Sequence, residues 1–208
     1  MKIFRPGFLA RLRRRFLLEP AGYGRPVDQA AVDGEYSSGA WAHFHQLPEL
    51  PRQSVIVGYV TALQPNPAIL DLGCGSGRLA QLFSPHPFRR YLGVDLSPEG
   101  VRMARALGLA RCEFNEGNFE TWRPVEKFDV IMFSECIGYA RDPGALVASF
   151  LPWLEPGGIV VISHFRYGHW EAHWRRVCQH LAPFAAVTVA NEHGQTWDIK
   201  LLRPPPAP

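Results

Sequence analysis

Apolar residues along this chain fall into short unbroken runs, separated by stretches in which they recur every three or four positions. The runs Ala68–Leu72, Tyr91–Val94, Phe128–Phe133 and Gly158–Ile162 are the pattern of strands buried on both faces. A further short strand is expected near Cys112–Phe114. The intervening segments near Arg78–Phe83, Pro98–Leu107 and Gly144–Leu154 read as helices, and a helix is expected over about Pro51–Leu63. Strand and helix in alternation predict a parallel sheet covered on both faces. The rhythm breaks at the end of the chain. Ala186–Asn191 and Thr196–Leu202 are two β-like runs joined by Glu192-His193-Gly194-Gln195, which predicts an antiparallel hairpin. The proline-rich tail 204–208 cannot join a ladder.

The start of the chain has a different character. Phe8, Leu12 and Phe16 recur at helical spacing, with Arg11, Arg13, Arg14 and Arg15 covering the other sides, and Ala21-Gly22-Tyr23-Gly24-Arg25-Pro26 follows as a linker. The segments divide the chain into an arm and lid region (1–50), a main domain (51–203) and the tail. The arm reads as packed on its own domain with solvated arginines, the alternatives being weak contact with a membrane surface or with RNA. At 208 residues and 47% hydrophobic, one core is expected. No nucleic-acid partner is expected, and the net charge of +3 is by itself too small to argue for a polyanionic one. Cys74, Cys112, Cys136 and Cys178 lie far apart, without a C-x-x-C pair, and read as reduced thiols of a cytoplasmic protein.

The chemistry concentrates after the first strand. Asp71-Leu72-Gly73-Cys74-Gly75-Ser76-Gly77 runs from a buried strand into a turn whose alternate glycines leave no Cβ between the backbone and a ligand above it. Asp95 ends the next strand, where a carboxylate can accept hydrogen bonds from both hydroxyls of a ribose. Together they read as a nucleoside pocket. Gly75-Ser76-Gly77-Arg78-Leu79-Ala80 also satisfies the dinucleotide fingerprint, so a NAD(P)-dependent oxidoreductase is the competing reading. Asp71 weighs against it, because a carboxylate suits a sulfonium or ammonium and is badly placed beside a pyrophosphate.

The ordered set of Asp71-x-Gly73-x-Gly75-x-Gly77, Asp95, Glu155-Pro156-Gly157-Gly158 before a strand, and the closing hairpin resembles the class I, Rossmann-like methyltransferases that use S-adenosylmethionine (SAM). The resemblance implies an α/β three-layer fold with a seven-stranded, mostly parallel sheet and a C-terminal antiparallel hairpin. It also implies SAM as methyl donor, S-adenosylhomocysteine (SAH) as product, and a small-molecule acceptor methylated at O, N or C. Asp71, Gly73, Gly75 and Gly77 would hold the methionine end and Asp95 the ribose. Leu96 would flank the adenine, with Asn118 and Phe119 at its amino group. Ser134 and Glu135 end the strand Phe128–Phe133, and His164 follows Ile159–Ile162, at strand ends that face the reaction zone. His164 is the first candidate general base and Glu135 the second. Tyr36, in the aromatic segment Glu35–Trp41 expected to be a loop, is the candidate lid contact. His169 and His173 share the i, i+4 spacing of metal ligands, but no third ligand accompanies them and no metal is expected. The protein is expected to act as a monomer or homodimer, and a scaffold or cyclase that has lost transfer is the remaining alternative.

Overall fold

A computed structural model of the protein describes residues 28–168 and 170–205. The arm, the linker, His169 and the tail residues Pro206, Ala207 and Pro208 lie outside the described residues. Strands β1 (Ala68–Leu72), β2 (Arg90–Asp95), β3 (Cys112–Glu116), β4 (Phe128–Ser134), β5 (Leu154–Phe165), β6 (Ala182–Ala190) and β7 (Thr196–Arg203) form a sheet of order β3-β2-β1-β4-β5-β7-β6. β7 runs antiparallel to both β5 and β6, and the other neighbours pair in parallel. The order reverses between β1 and β4, so the carboxyl ends of β1, β2 and β4 open on a crevice, the position at which open α/β sheets take ligands.

Successive side chains on each strand point to opposite faces, and both faces are packed. Leu70, Leu72, Ile131, Phe133, Val160 and Ile162 form one core with α5 (Pro143–Phe150) and α6 (Trp170–Val177), through Val147, Phe150 and Trp174. Ile69, Val130, Met132, Ile159 and Val161 form the other with α2 (Leu50–Leu63), α3 (Arg78–Phe83) and α4 (Pro98–Ala106), through Ile56, Val60, Ala80, Phe83 and Val101. This two-sided burial is the reason the inner strands read as unbroken apolar runs.

Three elements depart from the sequence expectation, each for a physical reason. β6 begins four residues early and includes Pro183, which an edge strand tolerates because its missing N–H would face solvent. β5 starts at Leu154 and carries Glu155-Pro156-Gly157-Gly158 within it, by way of a register shift against β4 between Phe128 and Val130. Residues expected as a loop around Tyr36 instead complete a helix, α1 (Gln29–Ser37), which stops where Gly39 takes a φ of 76°. A 3₁₀ turn, Ala40–His45, follows it. Asp33 anchors α1 to the sheet region by accepting from the Ser97 hydroxyl (2.6 Å) and the Glu99 amide (2.8 Å) at the start of α4. Asp33→Ala should therefore speed amide exchange across residues 29–45 while the sheet exchanges as before. Unchanged exchange in that segment would show that α1 is held by other contacts.

Candidate active site

The crevice above the switch point is a cleft of about 590 Å³, within the range of small-ligand sites. Its floor is the turn between β1 and α3. Gly73, Gly75 and Gly77 all have positive φ, between 54° and 79°. A Cβ on Gly73 would stand 2.7 Å from Cys136 Cβ, and one on Gly75 would stand 2.4 Å from the Tyr36 hydroxyl. Glycine is required there both by dihedral and by space.

Asp95 organises the turn. Its Oδ2 accepts from the Gly75 amide at 2.8 Å and its Oδ1 from the Ser97 amide at 2.9 Å, and it lines the cleft. Burial raises its pKa, against the lowering effect of the bonds from Ser97 and Gly75. Each oxygen keeps a second lone pair for a donor from a ligand. Tyr36 lies over Gly75 with its ring against Gly100. Burial first, and the Asp95 charge second, hold its phenol protonated far above the usual range. From the same lid segment, His45 Nε2 meets the Ser76 hydroxyl at 2.8 Å.

Asp71 sits beneath the floor and does not line the cleft. One oxygen accepts from the Tyr91 hydroxyl at 2.5 Å, while the other, Oδ1, is buried with no partner. Burial raises its pKa to about 7. Gly75 and Gly77 likewise shape the turn from below, whereas Gly73 and Leu96 line the cleft. Asn118 and Phe119 line it beyond β3. Asn118 Oδ1 already accepts from the Glu120 amide at 2.9 Å, so one of its two lone pairs remains for a ligand.

The opposite wall is built on a buried arginine that the sequence pattern did not single out. Arg52, 2% exposed, donates from Nε and Nη2 to Glu49 Oε2 (3.2 and 2.9 Å) and from Nη1 to the Ser134 hydroxyl (2.8 Å). Its Nη1 is 3.9 Å from Glu135 Oε1. Glu135 follows β4 with a φ of 61°, which turns its carboxylate back onto β5. There it accepts from the Ser163 hydroxyl and, at 2.9 Å, from the Phe165 amide. Burial raises its pKa and Arg52 opposes that rise. A strained backbone held by this many partners is characteristic of functional sites. The Arg52 guanidinium lies between the rings of Phe44 (5.7 Å) and Trp197 (5.9 Å).

His164 lines the cleft at the end of β5 and is 5% exposed. Its Nε2 is 2.8 Å from Nδ1 of His173 on α6, with the rings stacked. Desolvation first, and the His173 charge second, lower its pKa to about 4, so the ring is neutral at pH 7. The structure thus unites Tyr36, Gly73, Asp95, Leu96, Asn118, Phe119, Ser134, Glu135 and His164 around one cleft. Sequence reasoning passed over Glu49, Arg52 and Trp197. The only sign of the first two was an acid and a base three residues apart at the start of a helix.

A family model described as a methyltransferase domain matches residues 3–203. Phosphoethanolamine N-methyltransferase 1 of Arabidopsis thaliana is 37% identical over 111 residues, 50% of this chain and 22% of that protein. Trans-aconitate 2-methyltransferase of Escherichia coli is 30% identical over 96 residues, 46% of this chain and 38% of that protein. The chain thus spans well under half the length of these curated relatives. Among solved structures, magnesium protoporphyrin IX methyltransferase from Synechocystis PCC 6803 with bound SAM superposes at a TM-score of 0.69. The identity is 13%, over 85% of this chain and 98% of that one. The N-methyltransferase NodS from Bradyrhizobium japonicum WM9 with SAH gives 0.66 at 17% identity, over 79% and 91%. The [4+2]-cyclase SpnF gives 0.63 at 17%, over 74% and 81%. At these identities the likeness to the solved structures is one of fold.

Proposed function

The chain belongs to the methyltransferase-domain family, and from this premise we propose that it moves a methyl group from SAM to a small molecule held in the cleft. The observation that carries the reading is the Asp95 carboxylate, clamped onto the glycine turn by Gly75 and Ser97 with lone pairs left for a ribose. The residues present fit a nucleoside with a cationic tail. The glycine floor is a cradle that any Cβ would fill, and the partnerless Asp71 Oδ1 below it supplies a negative field toward that tail. Phe119 and Leu96 offer apolar surface to a base.

SAM, when bound, supplies an electrophilic methyl on a sulfonium. The protein's part is to hold the acceptor in line with that carbon, exclude water and take up a proton where the acceptor carries one. Tyr36, Trp41 and Phe44 of the lid cover the site. His164, neutral at pH 7, is the first proton acceptor. Its Nδ1 has no hydrogen bond among the described residues, and its Nε2 meets Nδ1 of His173, a partly exposed residue. Glu135 is the second. The two curated relatives are named for unlike acceptors, so their names do not choose one here. Among the described residues no helix is long and apolar enough to cross a membrane.

Calorimetry with SAH and with NAD(P) tests the reading directly. SAH should bind and NAD(P) should not; the reverse would transfer the protein to the oxidoreductases. Binding of SAH without transfer of labelled methyl to any acceptor would favour the fold without the activity. Asp95→Ala should weaken SAH binding roughly 10- to 150-fold, the equivalent of losing about 1.5–3 kcal/mol of hydrogen bonding to a charged group. An unchanged Kd in a folded variant would remove Asp95 from the cofactor site.

A further inference from the structure

The far wall of the cleft has a charge balance of its own. Glu135 follows β4, two strands from Asp95 on β2, which places it on the order of 10 Å away from the ribose end. Glu49 and Glu135 face one guanidinium between them, and all the hydrogen bonds of Arg52 are committed to Glu49 and Ser134. The Glu49 side chain is only 5% exposed. Glu49 lines the cleft; its Oε2 takes both Arg52 bonds, while its Oε1 has no hydrogen-bond partner among the described residues. Neither Lys nor Arg is among the described residues that line the cleft, whereas Glu35, Asp95 and Glu120 add further carboxylates to it. Phe44 and Trp197, whose rings flank the Arg52 guanidinium, complete this wall.

A carboxylate or phosphate acceptor would be seated against two carboxyl groups, with no Lys or Arg among the described residues that line the cleft to receive it. A neutral hydroxyl could donate to Glu49 Oε1 but would bring no positive charge to a wall whose two carboxyl groups share one guanidinium. An ammonium satisfies both observations, since it can donate to Glu49 Oε1 and offset the excess negative charge. Resting on the methyltransferase reading, we propose that the acceptor is an amine, captured in its ammonium form at Glu49 Oε1 on the cleft side of the Arg52 pair. The ammonium releases its proton to the His164 ring, which passes one on through His173 to water. The freed nitrogen lone pair then forms the N–C bond as the C–S bond breaks, leaving its electron pair on sulfur. The products are a methylated amine and the neutral thioether SAH.

The test uses the full chain loaded with SAH, with three probes of one shape: 2-phenylethylamine, 2-phenylethanol and 3-phenylpropionate. The amine should bind at least tenfold more tightly than the alcohol, with the acid weakest. Glu49→Gln should abolish that preference while SAH binds as before. The ranking in the unaltered protein stands as evidence even if that variant fails to fold. Equal binding of amine and alcohol, or preference for the acid, would overturn the amine assignment while leaving the methyltransferase reading intact. Failure of SAH itself to bind would instead strike the reading beneath it.

Discussion

Replacing Arg52 with leucine is expected to cost about 3–5 kcal/mol of folding stability, the usual scale for removing one partner of a buried ion pair. For a chain of this length that corresponds to a fall in Tm of roughly 6–20 °C. The cause is the residue's company. Glu49 and Glu135 stay behind in the same buried wall, and the Ser134 hydroxyl loses its donor. The loss should depend on pH in a definite sense. Burial already sets the Glu135 pKa above its ordinary value, with Arg52 holding it down. An acid whose folded pKa stands above its unfolded one loses stability as pH rises from the unfolded value through the folded one. Without Arg52 that interval extends upward, so the variant should be closest to the parent near pH 4.5 and should fall behind it as the pH is raised. Adding Glu49→Gln and Glu135→Gln to the leucine variant should recover much of the loss. A leucine variant that melts with the parent at pH 8 would show that the network contributes nothing to folding.

The same residues mark the boundary of what the sequence made legible. β1 and α3 were readable to the residue because the apolar run of Ala68–Leu72 and the glycines after it are local signals with one structural solution. The position of Asp95 was readable because it depends only on ending the strand next to the glycine turn. The Arg52 network was not. It joins α2 to the ends of β4 and β5, 82 positions apart for Arg52 and Ser134, and nothing within a helical window separates a buried arginine from a solvated one. Tyr36 lines the cleft but from a helix and not the expected loop, since its segment carries no apolar stripe and α1 buries no residue. Its helix is held instead by Asp33, through bonds to Ser97 and Glu99 that are formed only in the fold. His173 was weighed with His169 as half of a metal pair. The structure gives it another partner, His164, from a strand that folds onto the same helix.

That partnership carries the second large effect. His164→Ala should leave SAH affinity unchanged and lower turnover per folded molecule by roughly 100-fold or more, the scale of a general base. The argument is geometric before it is electrostatic: the ring lines the cleft at a strand end, one nitrogen free and the other 2.8 Å from His173. A pKa lowered to about 4 keeps it neutral throughout the neutral range, so the acid limb of activity should not lie near pH 6.5 on its account. The same shift has a stability consequence of known sign. A base whose folded pKa lies below its unfolded value contributes stability above the unfolded pKa and loses it as pH falls through the folded one. The parent should therefore lose stability between about pH 6.5 and pH 4 that the alanine variant does not. His173→Phe keeps a ring against His164 and removes the nitrogen that receives the proton, so it should lower turnover without disturbing SAH binding. A purely structural pair would lower Tm in both variants and leave turnover per folded molecule at the parent's value, with the parent's pH profile. That outcome would shift proton removal to Glu135, or leave methyl transfer to positioning alone.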